Sequence, residues 1–168
     1  QEKTYESLAS SPFNKIRFCV FPKHYVYNLK EPAQYPFEIR ENSPWSPSDF
    51  ETEKLEKAPR NMFGGIDAMI ENPDEVWDYT RPNPSYFEHI ENTIARLGTM
   101  GIQADLILFH PYDRWGYSRM NLEQQNFYLR YVVNRFSAYH NVWWAMANEF
   151  DLFRWKPVSE WESNAETV

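Results

Sequence analysis

Three short apolar runs alternate with two segments of helical periodicity, and that order leaves few folds open to the chain. The runs are 15–21 (KIRFCVF), 103–109 (QADLILF) and 142–147 (VWWAMA). Each has the length and the branched or aromatic content of a buried strand. Between the first two, Asn83-Pro84 opens a helix, with Asn as N-cap and Pro at the first helical position. Phe87, Ile90, Ile94 and Leu97 then recur on one helical face, and Gly101 ends the element. Between the second and third runs, Asn121 and Gln124 have the spacing of a capping box. The helix that follows is predicted over 122–139 and buries Leu129, Val132, Val133 and Phe136. Strand, helix, strand, helix, strand, with short turns into each strand, is the pattern of an α/β fold. Its strands are parallel, and right-handed crossovers join them.

The rest of the chain hangs on this frame. Tyr5, Leu8 and Ala9 give the first eleven residues weak helical spacing, which Ser10, Ser11 and Pro12 stop. No signal peptide is read there. The first strand is followed by a long connection, 22–83, carrying Pro32, Pro36, Pro44, Pro47, Pro59 and Pro73. Connections of that length are usually functional or disordered. Its charged part, 41–72, reads as an inserted loop, with a turn at Gly64-Gly65, while the aromatic part 25–37 is expected to pack near the strand ends. After the third strand, Pro157 opens another short helix. At 168 residues the chain has enough material for one domain with a core.

Polar clusters stand where the three strands stop. They are Lys23, His24 and Tyr25; His110, Tyr112, Asp113, Arg114 and Trp115; and Asn148 and Glu149. Parallel strands bring their carboxyl ends to one edge, which is where α/β enzymes place their chemistry. In the third strand, period two puts Trp143, Ala145, Ala147 and Glu149 on one side and Trp144, Met146 and Asn148 on the other. A face narrowing to two alanines before an acid suits the crowded interior of a small barrel with a carboxylate at its mouth. The plain alternative is a solvated Glu that opens a loop. Aromatic residues make up 18% of the chain, many beside Pro, Asn and Asp, and such rings suit stacking on sugar faces.

Other chemistries are poorly supplied. A net charge of -7 with no run of Lys or Arg offers no nucleic-acid footprint. No apolar stretch has the length of a membrane span. The single cysteine, Cys19, excludes an internal disulfide and reads as a small buried residue. There is no Gly-x-Gly-x-x-Gly cradle for a dinucleotide and no Gly-x-Ser-x-Gly elbow for a serine nucleophile. His24, His110 and Asp113 are the types a metal site uses, but no paired His-Glu-x-x-His spacing appears. No metal and no cofactor is therefore expected.

Three motifs in order carry a family resemblance: Phe-Pro-Lys-His-Tyr at 21–25, Phe-His-Pro-Tyr-Asp-Arg-Trp-Gly at 109–116, and Asn-Glu-Phe-Asp at 148–151. The chain resembles bacterial glycoside hydrolases of clan GH-A, in particular the group labelled β-galactosidase-like or apiosidase-like. That resemblance implies a (β/α)8 barrel, typically about 250 residues long. This chain would supply only about its second to fourth strands, as a fragment of the catalytic domain spanning 1–168. It implies that Glu149 is the general acid/base of a retaining hydrolase of polysaccharides or oligosaccharides. The nucleophile, a Glu at the seventh strand end, has no counterpart in the chain. It also implies that Asn148 contacts the sugar 2-hydroxyl and that His110 lines the site. Tyr112 and Trp115 would stack on the sugar, with Asp113, Lys23, His24 and Tyr25 as further substrate contacts and Arg114 as a partner for Asp113. An acid at neutral pH needs a raised pKa, which Trp and Phe neighbours could provide by desolvation. The expected partners are a carbohydrate and either the remainder of the barrel or a second copy. A secreted or periplasmic location follows from the resemblance alone. The competing classes are a non-catalytic carbohydrate-binding piece and a metal-dependent hydrolase.

Overall fold

A computed structural model of the chain describes residues 2–24, 32–46, 70 and 72–168. In chain order the elements are α1 (Glu2–Ala9), β1 (Lys15–Cys19), β2 (Phe37–Ile39), α2 (Pro73–Val76) and β3 (Trp77–Pro82). They continue with α3 (Pro84–Thr99), β4 (Gln103–Phe109), α4 (Leu122–Phe136), β5 (Val142–Ala147) and α5 (Val158–Thr167).

The three anticipated strands form one parallel sheet in the order β1-β4-β5. Lys15 lies beside Gln103, and Phe109 lies beside Ala147. The ladder reaches one residue past each outer strand, since Val20 N–H donates to Ile107 O and Asn148 N–H donates to Phe109 O. All three carboxyl ends therefore share one edge. β1 itself stops at Cys19, short of the 15–21 run, and Val20 and Phe21 go on as buried residues.

The two sheet faces differ. Ala104, Leu106 and Leu108 are fully buried in one cluster with Ile94 and Leu97 of α3 and Leu129, Val132 and Phe136 of α4. The opposite face is polar at its lower end. Arg17 Nε donates to Asp105 Oδ2 at 3.1 Å, and Lys15 Nζ lies 4.0 Å from the same oxygen. Trp143 on this face is 54% exposed, with its indole N–H on Gln103 Oε1 and Lys15 Nζ 3.7 Å from its ring centroid. That face is the one on which the two-residue period placed Trp143 together with Glu149.

Both long helices start as anticipated. Asn83 Oδ1 accepts from Ser85 N–H, and Asn121 and Gln124 make both bonds of the capping box. Past α3, Gly101 takes a φ of +71°, a left-handed turn that Gly reaches without strain. α4 ends at Phe136 rather than near 139, and Tyr128 and Gln125 are buried where Val133 is only half-buried.

The long connection holds structure that the sequence reading missed. β2 and β3 pair antiparallel, and Phe37, Trp77 and Tyr79 are buried. The alternation of Trp77 and Tyr79 with Asp78 and Thr80 was the available signal, a short one within a long Pro-bearing connection. Residues 47–69 and 71 fall outside the described ones, so the expected insertion over 41–72 and its Gly64-Gly65 turn lie largely there.

Asn141 joins the frame at its base. Its buried Nδ2 donates to Ile94 O and Ile102 O, at 3.0 and 3.2 Å, tying the end of α3 to the start of β4. Asn141→Leu keeps the volume but leaves two buried carbonyls without this donor, and is expected to cost about 1–3 kcal/mol. Denaturant unfolding measures it, and an unchanged midpoint would mean that both carbonyls have other partners.

Candidate active site

The loop after β4 is built on Asp113. Its carboxylate accepts the backbone N–H groups of Gly116, Tyr117 and Ser118, at 2.5, 3.1 and 2.7 Å. This folds 113–118 into a tight turn whose Gly116 has a φ of +86°. A Cβ there would fall 2.5 Å from Pro73 Cβ, so the glycine serves both conformation and close approach. Asp113, expected to touch substrate, has its oxygens committed to the loop.

His110 is committed in the same way. The Tyr112 N–H donates to Nδ1, so the proton sits on Nε2, which donates to Phe21 O; both distances are 3.2 Å. The ring is 2% exposed and bridges the ends of β1 and β4. Burial pushes its pKa below the ordinary histidine value, against the opposing effects of the Asp113 carboxylate and the Phe21 carbonyl. A metal on either nitrogen would have to displace one of these bonds.

Several residues anticipated as sugar contacts are buried. Trp115 is 1% exposed; its ring stacks on Tyr117, and its carbonyl accepts from Trp77 Nε1 at 2.7 Å. Arg114 is as deeply buried, with its guanidinium 5.4 Å from the Trp115 ring. Its burial is not that of a surface side chain, and the Asp113 oxygens beside it accept from backbone amides. His24 is buried edge-on to Trp115, and its backbone N–H donates to Tyr112 O. Tyr25 lies outside the described residues. What stays open at the edge is smaller: half-buried Lys23, with Nζ 4.3 Å from the Tyr112 ring centroid, Tyr112 itself, Asn148, and the exposed Glu149.

Glu149 is singular in its backbone. With φ 51° and ψ 54° it is the one non-glycine with positive φ among the described residues. A left-handed conformation costs an ordinary residue roughly 1–2 kcal/mol. Strain of this kind collects at functional sites, and here it turns the chain out of β5 into a 3₁₀ turn, Phe150–Leu152, directly after the acid. Glu149 is itself exposed, so the described residues form no desolvating Trp and Phe wall around it.

Lys156 was not anticipated. Its Nζ donates to Gln125 Oε1 at 2.6 Å and to Asn164 Oδ1, and sits 3.6 Å from the Trp161 ring centroid and 4.7 Å from that of Phe109. Burial pushes this amine down to about 8, against Glu160. It locks the segment after Glu149 to α4 and α5. Its partners come from three separate elements, so no sequence spacing could have revealed it. Among the described residues no group of His, Cys, Asp or Glu is arranged to hold a metal ion.

The chain places an amide and a carboxylate at the carboxyl end of a parallel strand, the edge where α/β enzymes carry their chemistry. The chain belongs to the family of apiosidase-like catalytic domains, which matches residues 48–168. That span contains the His110 and Glu149 motifs but not the motif at 21–25. A crystal structure from Bacteroides vulgatus ATCC 8482, assigned as a glycoside hydrolase, is 40% identical with a TM-score of 0.76. The match covers 100% of this chain and 29% of that one. A second structure, named glycoside hydrolase, is 14% identical with a TM-score of 0.54 over 99% of this chain and 29% of its own, a likeness of fold alone. No curated protein matches the chain. The chain thus spans about three-tenths of the solved chains it resembles.

Two outcomes follow from the site. Glu149→Gly relieves the left-handed strain and, after the added flexibility of Gly, is expected to raise stability by about 0.5–1 kcal/mol. Thermal melting reads this, and a loss of stability would show that Glu149 makes interactions worth more than its strain. The second concerns His110. Its folded pKa lies below its unfolded value of about 6.5, so the unfolded chain takes up the proton first and stability falls as pH drops below that value. His110→Gln cannot titrate, so the stability gap between wild type and variant should narrow from pH 7 to pH 5. A constant gap would argue against a buried neutral ring.

Proposed function

We propose that the chain is part of the catalytic domain of a retaining glycoside hydrolase, with Glu149 as its general acid/base. The observation that carries this is Glu149 itself, an exposed acid at the carboxyl end of a parallel strand, held left-handed beside Asn148. Membership of the apiosidase-like family and likeness to a structure assigned as a glycoside hydrolase support the reading. In it the three parallel strands are consecutive strands of a (β/α)8 barrel of clan GH-A. The remainder of the barrel, or failing that a second copy, covers the polar sheet face around Trp143.

Chemically, Glu149 protonates the glycosidic oxygen as the bond to the sugar breaks. A second carboxylate, supplied from outside this chain, attacks the anomeric carbon, and the two groups then stand roughly 5–5.5 Å apart. Glu149 next takes a proton from water, which releases the sugar. Asn148, immediately before the acid, hydrogen-bonds the sugar hydroxyl next to the anomeric carbon. Tyr112 and Lys23 contribute to the rim. His110, Asp113, Arg114, His24 and Trp115 act one step back, fixing the loops.

The whole enzyme tests this with Glu149→Gln. Hydrolysis of glycosides with poor leaving groups should fall about 10²–10⁴-fold, the usual value of general acid catalysis. Activated aryl glycosides, whose leaving group needs little protonation, should lose far less in the glycosylation step measured before steady state. Because of the resemblance, β-galactosides belong in the first panel beside pentosides. Equal losses for both leaving-group types would remove Glu149 from the acid role, and an absence of any hydrolysis by the whole wild-type protein would favour the non-catalytic carbohydrate-binding reading.

A further inference from the structure

With Trp115 buried, the candidate site still needs an aromatic platform, and the structure presents one elsewhere. Trp155 is 56% exposed. It is reached from Glu149 through consecutive tight turns, in which Leu152 N–H donates to Glu149 O, Phe153 N–H to Phe150 O, and Lys156 N–H to Phe153 O. The ring is anchored from the neighbouring loop, because its indole N–H donates to Ser118 O at 3.3 Å. Ser118 is in turn held by its own N–H on Asp113 Oδ2. On its other flank Trp155 packs against buried Phe153, with ring centroids 5.5 Å apart. Lys156, the next residue, is fixed by Gln125 and Asn164. An exposed indole held on both sides, spanning the loops after β4 and β5, is already ordered for a ligand and loses little freedom on binding.

We propose that Trp155 is the platform on which the leaving-group sugar stacks. The inference rests on the hydrolase reading above. A general acid stands on the leaving-group side of the bond it cleaves, so a ring carried by the acid's own loop meets the unit being expelled. Pyranose rings offer a flat C–H face that an indole covers well, and the indole N–H, already satisfied by Ser118, leaves the ring face for apolar contact. Trp155 would thus set preference for what is released, while Asn148 and the missing strands set preference for the sugar retained.

The test uses the whole enzyme and two probes that share one glycone. One is a glycosyl fluoride, whose leaving group has no ring. The other is a disaccharide whose reducing-end unit is a methyl hexopyranoside. The glycone is the one whose fluoride the wild type hydrolyses from a panel. Trp155→Ala should lower the ratio of disaccharide to fluoride kcat/KM roughly 3- to 10-fold, mostly through KM, since stacking holds ground state and transition state alike. Trp155→Phe, which keeps a ring, should retain most of the ratio. The ratio does not depend on how much variant folds. An unchanged ratio in Trp155→Ala overturns the proposal and leaves Trp155 a structural residue, buried by the rest of the enzyme. Failure of the wild type to hydrolyse any fluoride would instead remove the hydrolase reading, and this inference with it.

Discussion

Everything here depends on β4 being hydrogen-bonded on both sides and buried. It pairs with β1 along one edge and β5 along the other. A parallel strand flanked in this way satisfies its backbone groups only if both neighbours keep register, and Ala104, Leu106 and Leu108 cannot slip without moving a whole face. Register fixes the ends: Phe109 is beside Ala147, so the loops at His110 and Asn148 must start side by side. The candidate site follows from the ladder.

The loops at that edge are held by the residues that looked most like ligand binders. Asp113 spends its carboxylate on three amides, and His110 spends both ring nitrogens on backbone groups of two strand ends. The loops carry few neighbouring strands to order them, so side chain to backbone bonds replace the ladder. The outcome is a rigid rim that leaves one strained acid outward.

The aromatic content has a similar explanation. Phe21 stacks on Tyr117 and Tyr128 with centroids 5.0 and 4.4 Å apart, and Phe37, Trp77 and Tyr79 close the same cluster. These rings fill the space between the strand ends and the β2–β3 pair. The rings that stay exposed in the segment after β5, Phe150 and Trp155, are the minority suited to meet a ligand.

The order of strands and helices was legible in the sequence, because a 3.6-residue or two-residue period is a property of neighbouring positions. So were the caps at Asn83 and Asn121, and the strand that stops at Glu149. Their physics is complete within a few residues. What a side chain faces once the loops close was not legible. The burial of Trp115 and Arg114, the commitment of Asp113 to Gly116, Tyr117 and Ser118, the β2–β3 pairing and the cage around Lys156 all join groups distant in sequence or set by the path of a loop. The left-handed turn at Glu149 belongs with them. An isolated Asn-Glu-Phe has no reason to adopt it, and strain of this kind persists only where the surrounding structure over-determines it.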